Sequence, residues 1–188
     1  MRHTITVTLA ACLLATLAAC GGSDDDKPTV SKATDTPSAA TKPTPSPSPT
    51  KEKLRLGDTV NVNSDGIKFS AAALAYKDKG VTSPPGMLQD GQKLARVEVK
   101  VCNKGDEPIT VTPFVWSLAY EDGVRVEPFH MSGGGLPQPV YPMDAKVSGG
   151  DCVRGNVFFE VSERAGRAER VLYSPQDLDE PVEWPTGK

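Results

Sequence analysis

Glycine and proline interrupt the chain so often after residue 54 that long helices are excluded. Residues 55–188 contain 15 glycines and 11 prolines, and the longest stretch without either is 13 residues. Strands of about four to eight residues fit comfortably between such breaks. We therefore expect this part of the chain to be all β.

Two segments show the alternation of a half-buried strand. Residues 94–103 place Val97, Val99 and Val101 on one face and charged side chains on the other. Residues 153–161 repeat the pattern, and the opposite face of that strand carries Cys152, Arg154, Asn156, Phe158 and Glu160. Successive side chains of a strand point to opposite faces, so one face is expected in the core and the other in water.

Weaker strand candidates fill most of the remaining domain. They are residues 59–62, 67–76, 109–120, 124–127, 169–173 and 182–184. The alanines of residues 71–75 favour a helix, but we assign them to a strand, and residues 162–170 could form a helical turn. Six to eight short strands, separated by turns every 8 to 12 residues, indicate an antiparallel β-sandwich.

The segment 109–120 changes its apolar parity at Pro113. A bulge or break there would return the apolar residues on both sides to the core. Asp122-Gly123 then predicts a hairpin turn, because this dipeptide supplies the positive φ angles that tight hairpins need.

The N-terminus is typical of an export signal. Residues 1–19 hold 13 apolar side chains and a single charge, Arg2. This apolar segment is too short and wrongly flanked for a membrane-spanning helix. The sequence Leu-Ala-Ala-Cys at residues 17–20 resembles the lipobox of bacterial lipoproteins, in which the cysteine receives a diacylglyceryl group. The resemblance predicts a signal peptide at 1–19, lipid attachment at Cys20 and a location on the extracellular face of the cell membrane.

Residues 20–54 are predicted to be a disordered tether between this anchor and a domain at 55–188. Residues 28–50 contain six prolines, six threonines and four serines and no aromatic residue, so they cannot bury enough surface to offset chain entropy. From residue 21 to 54 the reach is roughly 30 Å as a flexible coil and roughly 100 Å as polyproline II.

Cys102 and Cys152 remain once the signal peptide and the lipidated cysteine are set aside. In an exported protein the pair predicts a disulfide, with two free thiols or half a metal site as alternatives. Both cysteines fall on the polar side of their strands. The bridge would therefore join neighbouring strands on an outer face rather than cross the core.

The net charge and the histidine content argue against two classes of function, nucleic-acid binding and catalysis. Residues 55–188 carry 15 basic and 19 acidic side chains, a net charge of -4, which argues against nucleic acid as a partner. His130 is the one histidine after the signal peptide, and no carboxylate is placed in sequence to orient it towards Ser132. We expect neither an enzyme nor a bound cofactor.

The least ordinary segment is residues 128–150, which mixes five glycines and four prolines with apolar side chains. Loops of this length in a compact domain are usually functional or disordered. We predict that this loop presents Phe129, His130, Met131 and Tyr141 to a partner. The alternative is that these side chains pack on the sandwich.

A metal-handling role is the rival interpretation of the same loop. His130, Met131 and Met143 faintly resemble the histidine and methionine ligands of exported copper(I) carriers, because soft ligands suit that ion. Those families use a second histidine and methionine pair that this chain lacks. Our primary expectation is therefore that no metal is bound.

Several motifs together resemble a bacterial family called domain of unknown function 4352. They are Gly57-Asp58-Thr59-Val60, the run from Val101 to Ile109, Leu118 with Asp122-Gly123, and the run from Gly155 to Val161. The resemblance covers about residues 56–184. It implies an immunoglobulin-like sandwich, related in fold to a secreted immunoprotective mycobacterial antigen and often found on lipoproteins of Gram-positive bacteria. No catalytic residues come with it, and we expect a surface lipoprotein that binds an unidentified envelope or extracellular partner.

Overall fold

The computed structural model describes residues 28–33, 53–64, 66–130, 135–176 and 178–187. These residues form strands joined by turns and one short 3-10 helix. The strands are β1 Thr29–Lys32, β2 Thr59–Ser64, β3 Ile67–Lys77, β4 Gln92–Asn103, β5 Ile109–Val111, β6 Trp116–Ala119, β7 Arg125–Val126, β8 Ala145–Val147, β9 Cys152–Ser162, β10 Arg170–Tyr173 and β11 Val182–Pro185.

Two main sheets face each other. The first has the order β1-β2-β3-β4-β9 and the second has the order β11-β10-β6-β7, while β5 and β8 form a separate pair. All strand pairs are antiparallel. The longest ladder joins β4 to β9, from Gln92 opposite Ser162 to Cys102 opposite Cys152.

The core lies between the two sheets, on the faces that the alternation predicts. Val97, Val99 and Val101 are at most 1% exposed, and Phe159 of β9 is fully buried. The second sheet contributes Trp116, whose ring lies 4.4 Å from that of Tyr173 and 5.8 Å from that of Trp184. The predicted antiparallel immunoglobulin-like β-sandwich is confirmed.

Pro113 divides the predicted segment 109–120 into two elements. The 3-10 helix Pro113–Val115 follows β5, and Thr112 caps it by accepting a hydrogen bond from the Phe114 amide. The strands on its two sides lie in different sheets, since β5 pairs with β8 whereas β6 pairs with β10. The expected break is confirmed, and so is the turn at Asp122-Gly123, where Gly123 has a φ of 85°.

The alanine-rich residues 71–75 lie within β3, as predicted, with a register shift between Ala73 and Ala75. Residues 162–170 form no helix, but a single turn begins the segment, in which the Ala165 amide donates to the Ser162 carbonyl at 3.0 Å. Cross-strand packing outweighs the high helix propensity of alanine here, because Ala71 and Ala73 are completely buried in the core.

One prediction about the outer face of the first sheet is wrong. Leu94 and Phe158 point away from the main core but are only 1% and 4% exposed. They form a second apolar cluster with Leu136, to which Val81, Met87, Leu88, Phe129 and Val140 add partly buried side chains. The β3–β4 and β7–β8 connections supply these residues, which cover this part of the sheet and exclude water from it.

The prediction of disorder throughout residues 20–54 is wrong at Thr29–Lys32. These residues form β1, which pairs with β2 so that Val30 lies opposite Val62 and Lys32 lies opposite Val60. The main chain provides this pairing, so the segment needs no apolar side chains to join the sheet. The signal peptide, Cys20 and the tether residues other than 28–33 and 53–54 lie outside the described residues.

Candidate ligand-binding cleft

A cleft of about 670 Å³ opens at one end of the sandwich, which we call the end cleft. It lies where β3 begins and where β4 and β10 end, and β5 forms one wall. Its lining residues share an apolar inner surface and a charged rim. They include Ile67, Lys68, Phe69, Val101, Lys104, Asp106, Glu107, Ile109, Thr110, Val111, Val115, Tyr141 and Tyr173.

Asn103 fixes the loop that forms the rim. Its side-chain amide donates to the carbonyl oxygens of Glu107 at 2.7 Å and Val147 at 2.9 Å, and its Oδ1 accepts from the Gly105 amide at 2.9 Å. The residue is 1% exposed, so these bonds replace water that it cannot reach. One buried side chain therefore ties the β4–β5 loop to β8 and preorganises the wall of the cleft.

The rim carries both signs of charge. Lys68 and Lys104 are exposed, and so are Asp106 and Glu107. Ile67 adds an apolar side chain that is 40% exposed. Such a rim favours a ligand or segment that combines an apolar body with polar ends, rather than a strongly charged one.

Tyr141 lies in the lining of the end cleft. The residue is 3% exposed, and its hydroxyl has no hydrogen-bond partner among the described residues. Burial alone raises the pKa of this hydroxyl well above its ordinary value. Its side chain belongs to the main core, so the prediction that Tyr141 is presented to a partner is wrong.

The chain turns over β9 at Tyr141 because Gly155 leaves room for it. The Asn156 amide donates to the Pro139 carbonyl at 2.8 Å, and the Tyr141 amide donates to the Asn156 carbonyl at 3.0 Å. A Cβ at Gly155 would lie 2.6 Å from the Tyr141 nitrogen. Glycine thus permits the backbone approach that carries Tyr141 into the core.

The other residues of the predicted partner-binding loop separate. Phe129 is half-buried against the outer cluster and, with Met143, lines a small pocket of about 170 Å³. His130 is exposed, and its ring stacks on Phe114 with centroids 4.7 Å apart. Met131 lies outside the described residues. The alternative of packing on the sandwich therefore describes Phe129 and Tyr141 better.

The metal interpretation gains no support. In the part of the chain that the structure describes, no three histidine, cysteine, aspartate or glutamate side chains are grouped so that they could hold a metal ion. His130 instead makes an aromatic contact, and Met143 is partly buried in the small pocket.

The predicted disulfide is confirmed. Cys102 and Cys152 are bonded, with their Cα atoms 4.0 Å apart, and they lie directly opposite each other on β4 and β9. The bond joins neighbouring strands outside the main core, as the side-chain parity indicates. Within the described ranges no helix is long and apolar enough to cross a membrane.

Comparison with known proteins identifies the family. The sequence profile of the domain of unknown function DUF4352 matches residues 54–181. The chain belongs to this family. The match begins just before β2 and ends just before β11, so β1 lies outside the matched segment. The predicted family resemblance is thereby confirmed.

One solved structure supports the sandwich fold, and two others match more weakly. A secreted protein from Mycobacterium tuberculosis, MPT63, superposes with a TM-score of 0.55 at 13% identity, covering 72% of this chain and 99% of that one. The ycdA protein of Bacillus subtilis gives a TM-score of 0.47 at 17% identity, covering 65% of this chain and 37% of that one. The yjhA protein of the same organism gives 0.44 at 14% identity, covering 71% and 99%. No curated protein sequence matches the chain.

Sequence reasoning missed the end cleft for a physical reason. Its lining comes from five separate parts of the chain, at residues 66–69, 101–112, 115, 141 and 173–175, and none of them contains a ligand-binding motif. The residues from Asn103 to Pro108 have the composition of a turn, but a turn by itself does not reveal that a cavity lies behind it. The paired placement of Asn103 and Val147 appears only in the folded chain.

Proposed function

We propose that the chain is a lipoprotein on the extracellular face of the cell membrane and that its sandwich is a non-enzymatic binding module. The lipobox-like residues 17–20 support the anchor, and the proline-rich segment supports a domain held away from the membrane. The single observation that carries a binding role is the end cleft. Its volume and its mixture of aromatic and polar residues are typical of small-ligand sites.

The chemistry of the cleft indicates the kind of ligand. Phe69, Tyr173 and Val111 provide a buried apolar surface, whereas Lys104 and Asp106 provide opposite charges at the mouth. A neutral or zwitterionic envelope component with an aromatic or short acyl part fits both features. The net charge of -4 on residues 55–188 disfavours nucleic acid.

Binding is tested by amide chemical-shift mapping on the oxidised soluble protein. The probes are a panel of small aromatic and short-chain acyl compounds, each with a polar end. We expect shifts confined to residues 66–69, 103–112 and 173–175. Thr110→Trp should remove them by filling the cleft, whereas Val124→Trp is the matched control, because Val124 is exposed on the β6–β7 turn. Shifts that persist in Thr110→Trp would place binding elsewhere.

The anchor is tested separately by Cys20→Ala in the native cell. The variant should appear in the aqueous phase after detergent extraction, whereas the native protein should partition with the membrane. Partitioning of the variant with the membrane would show that Cys20 is not the anchor.

A further inference from the structure

The strand β1 joins the first sheet by its main chain and buries little. All four of its side chains are exposed, and Val30, the largest apolar one, is 41% exposed. The strand β2, in contrast, buries Val60 and Val62 in the main core. Because all four residues of β1 are exposed, its release costs little of the packing that holds the rest of the sandwich together.

The pairing geometry shows which β1 amides hold the strand. The Ala33 amide donates to the Thr59 carbonyl at 2.8 Å. Hydrogen-bonded positions alternate along an antiparallel pair, so Ser31 belongs to the same set and Val30 does not. An ion pair of 3.1 Å between Lys32 Nζ and Asp58 Oδ2 adds a side-chain contact.

The position of β1 between Cys20 and the domain means that its release would lengthen the free chain between them. Eight residues separate Cys20 from β1, and residues 34–52 connect β1 to the start of the domain. With β1 paired, the segment from Cys20 to the sheet spans at most about 30 Å. With β1 released, 33 residues intervene before Leu54 and reach roughly 100 Å if they adopt polyproline II.

We propose that β1 is a releasable strap that gives the domain two distances from the membrane, short when β1 is paired with β2 and long when it is not. The distance from the membrane rests on the lipid attachment at Cys20 proposed above. The release of β1 does not, since it concerns only the sheet. The long state also uncovers the edge of β2.

Hydrogen exchange of the soluble protein tests the release. In the native chain the Asn61 amide, at the β1–β2 edge, should exchange at least tenfold faster than the Val99 amide in the centre of the sheet. Ser31→Pro should raise the Asn61 rate further and leave Val99 unchanged. Val30→Pro is the matched control, because the Val30 amide faces away from β2 and proline is tolerated there.

A locked variant completes this experiment. Ser31→Cys with Asn61→Cys places two cysteines on directly opposed, exposed residues, at a spacing that a disulfide can bridge. Formation of this bridge should slow exchange of the residue-61 amide to the Val99 rate, whereas the single variant Asn61→Cys should keep the native difference. If Asn61 and Val99 exchange at the same rate in the native chain, β1 opens only when the whole domain unfolds, and the strap is refuted.

The two distances are tested on vesicles, independently of cellular lipidation. The Cys20 thiol of the soluble protein is coupled to a maleimide phospholipid in phosphatidylcholine vesicles. A dye on an unnatural residue at exposed position Lys79 then reports energy transfer to an acceptor in the bilayer. The locked variant should give the highest transfer and Ser31→Pro the lowest, with Val30→Pro close to native. Equal transfer in all four proteins would overturn the proposal, whereas failed lipidation in cells would affect only the proposed anchor.

Discussion

The two outer strands of the block β2-β3-β4-β9 are covered in different ways. At β9, Phe129 and residues 139–141 bond to the edge, and buried side chains hold them in place. At β2 the strand β1 pairs through its main chain and leaves its side chains in water. Both arrangements satisfy edge hydrogen bonds that would otherwise invite pairing with another chain. The difference teaches that one cover is part of the core, whereas the other adds little to it.

Removal of the disulfide should have the largest effect, and it should act at the β9 side. Cys102→Ala with Cys152→Ala opens a cross-link between residues 50 apart, which should lower the free energy of unfolding by about 4 kcal/mol. Urea unfolding monitored by tryptophan fluorescence measures it. A loss below about 1 kcal/mol would mean that the ladder between β4 and β9 does not need the bond.

Gly155→Ala should have the second-largest effect, because it forces the main chain of residues 140–141 away from β9. The new Cβ meets main-chain atoms of Val140 and Tyr141 at 2.6 to 2.8 Å, and we expect a loss of about 2 to 3 kcal/mol. Gly166→Ala is the matched control, since nothing lies within 4 Å of its added Cβ. Thermal unfolding of the two variants separates the effects, and similar midpoints would contradict the close approach at β9.

Tyr141→Phe should stabilise the same edge by about 1 kcal/mol. It removes a buried hydroxyl that has no partner among the described residues and keeps the ring in the core. Tyr76→Phe is the opposite control, because the Tyr76 hydroxyl accepts a hydrogen bond from the buried Ala168 amide at 3.3 Å. The free energy of unfolding of Tyr76→Phe should fall by about 1 kcal/mol. A lower free energy of unfolding in both variants would show that the Tyr141 hydroxyl has a partner.

The smallest effect should be the acid sensitivity of the β1 edge. A hydrogen bond from the Arg55 amide, followed by the Lys32 ammonium, holds the pKa of Asp58 below its ordinary value of 3.8. The stabilisation is therefore present at neutral pH and is lost as the pH falls below about 3.8 towards the lowered pKa. Exchange at Asn61, corrected for intrinsic rates, should accelerate relative to Val99 across that range.

The ion pairs at the two edges provide the control for this experiment. Lys32→Gln should weaken β1 pairing by about 0.2 to 1 kcal/mol. Arg154→Gln removes the partner of Glu98 on the outer face near β9, where the two side chains are 2.7 Å apart, and should leave Asn61 exchange unchanged. Equal effects at Asn61 would show that neither ion pair is specific to the strap.

Sequence reasoning located most clearly the two strands with the strictest alternation. In β4 and β9 the valines alternate with polar residues, so the core face and the cysteine parity could be read directly. The short strand β8, Ala145–Val147, was missed because three residues carry no period. The strand β1 was missed because Thr29, Ser31 and Lys32 carry no apolar pattern, and its pairing depends on a neighbour 30 residues away.

The loop and the cleft could not be predicted because they depend on distant contacts. Phe158 on the polar face of β9 was a visible sign that something covers that face, but the cover comes from distant residues, namely Val81, Met87, Leu88, Phe129, Leu136 and Val140. Tyr141 is drawn into the core by the space at Gly155, which no local pattern reveals. The contact between His130 and Phe114 likewise joins two separate connections.

The disulfide and the end cleft meet at Asn103. This residue follows Cys102 directly, and its main-chain amide donates to the carbonyl of Asp151, the residue before Cys152, at 2.9 Å. The side chain that shapes the mouth of the cleft therefore extends from a backbone that the covalent bond braces. While both thiols are reduced, the mouth lacks that brace. The binding proposed for the end cleft would therefore depend on the oxidation state of the two cysteines.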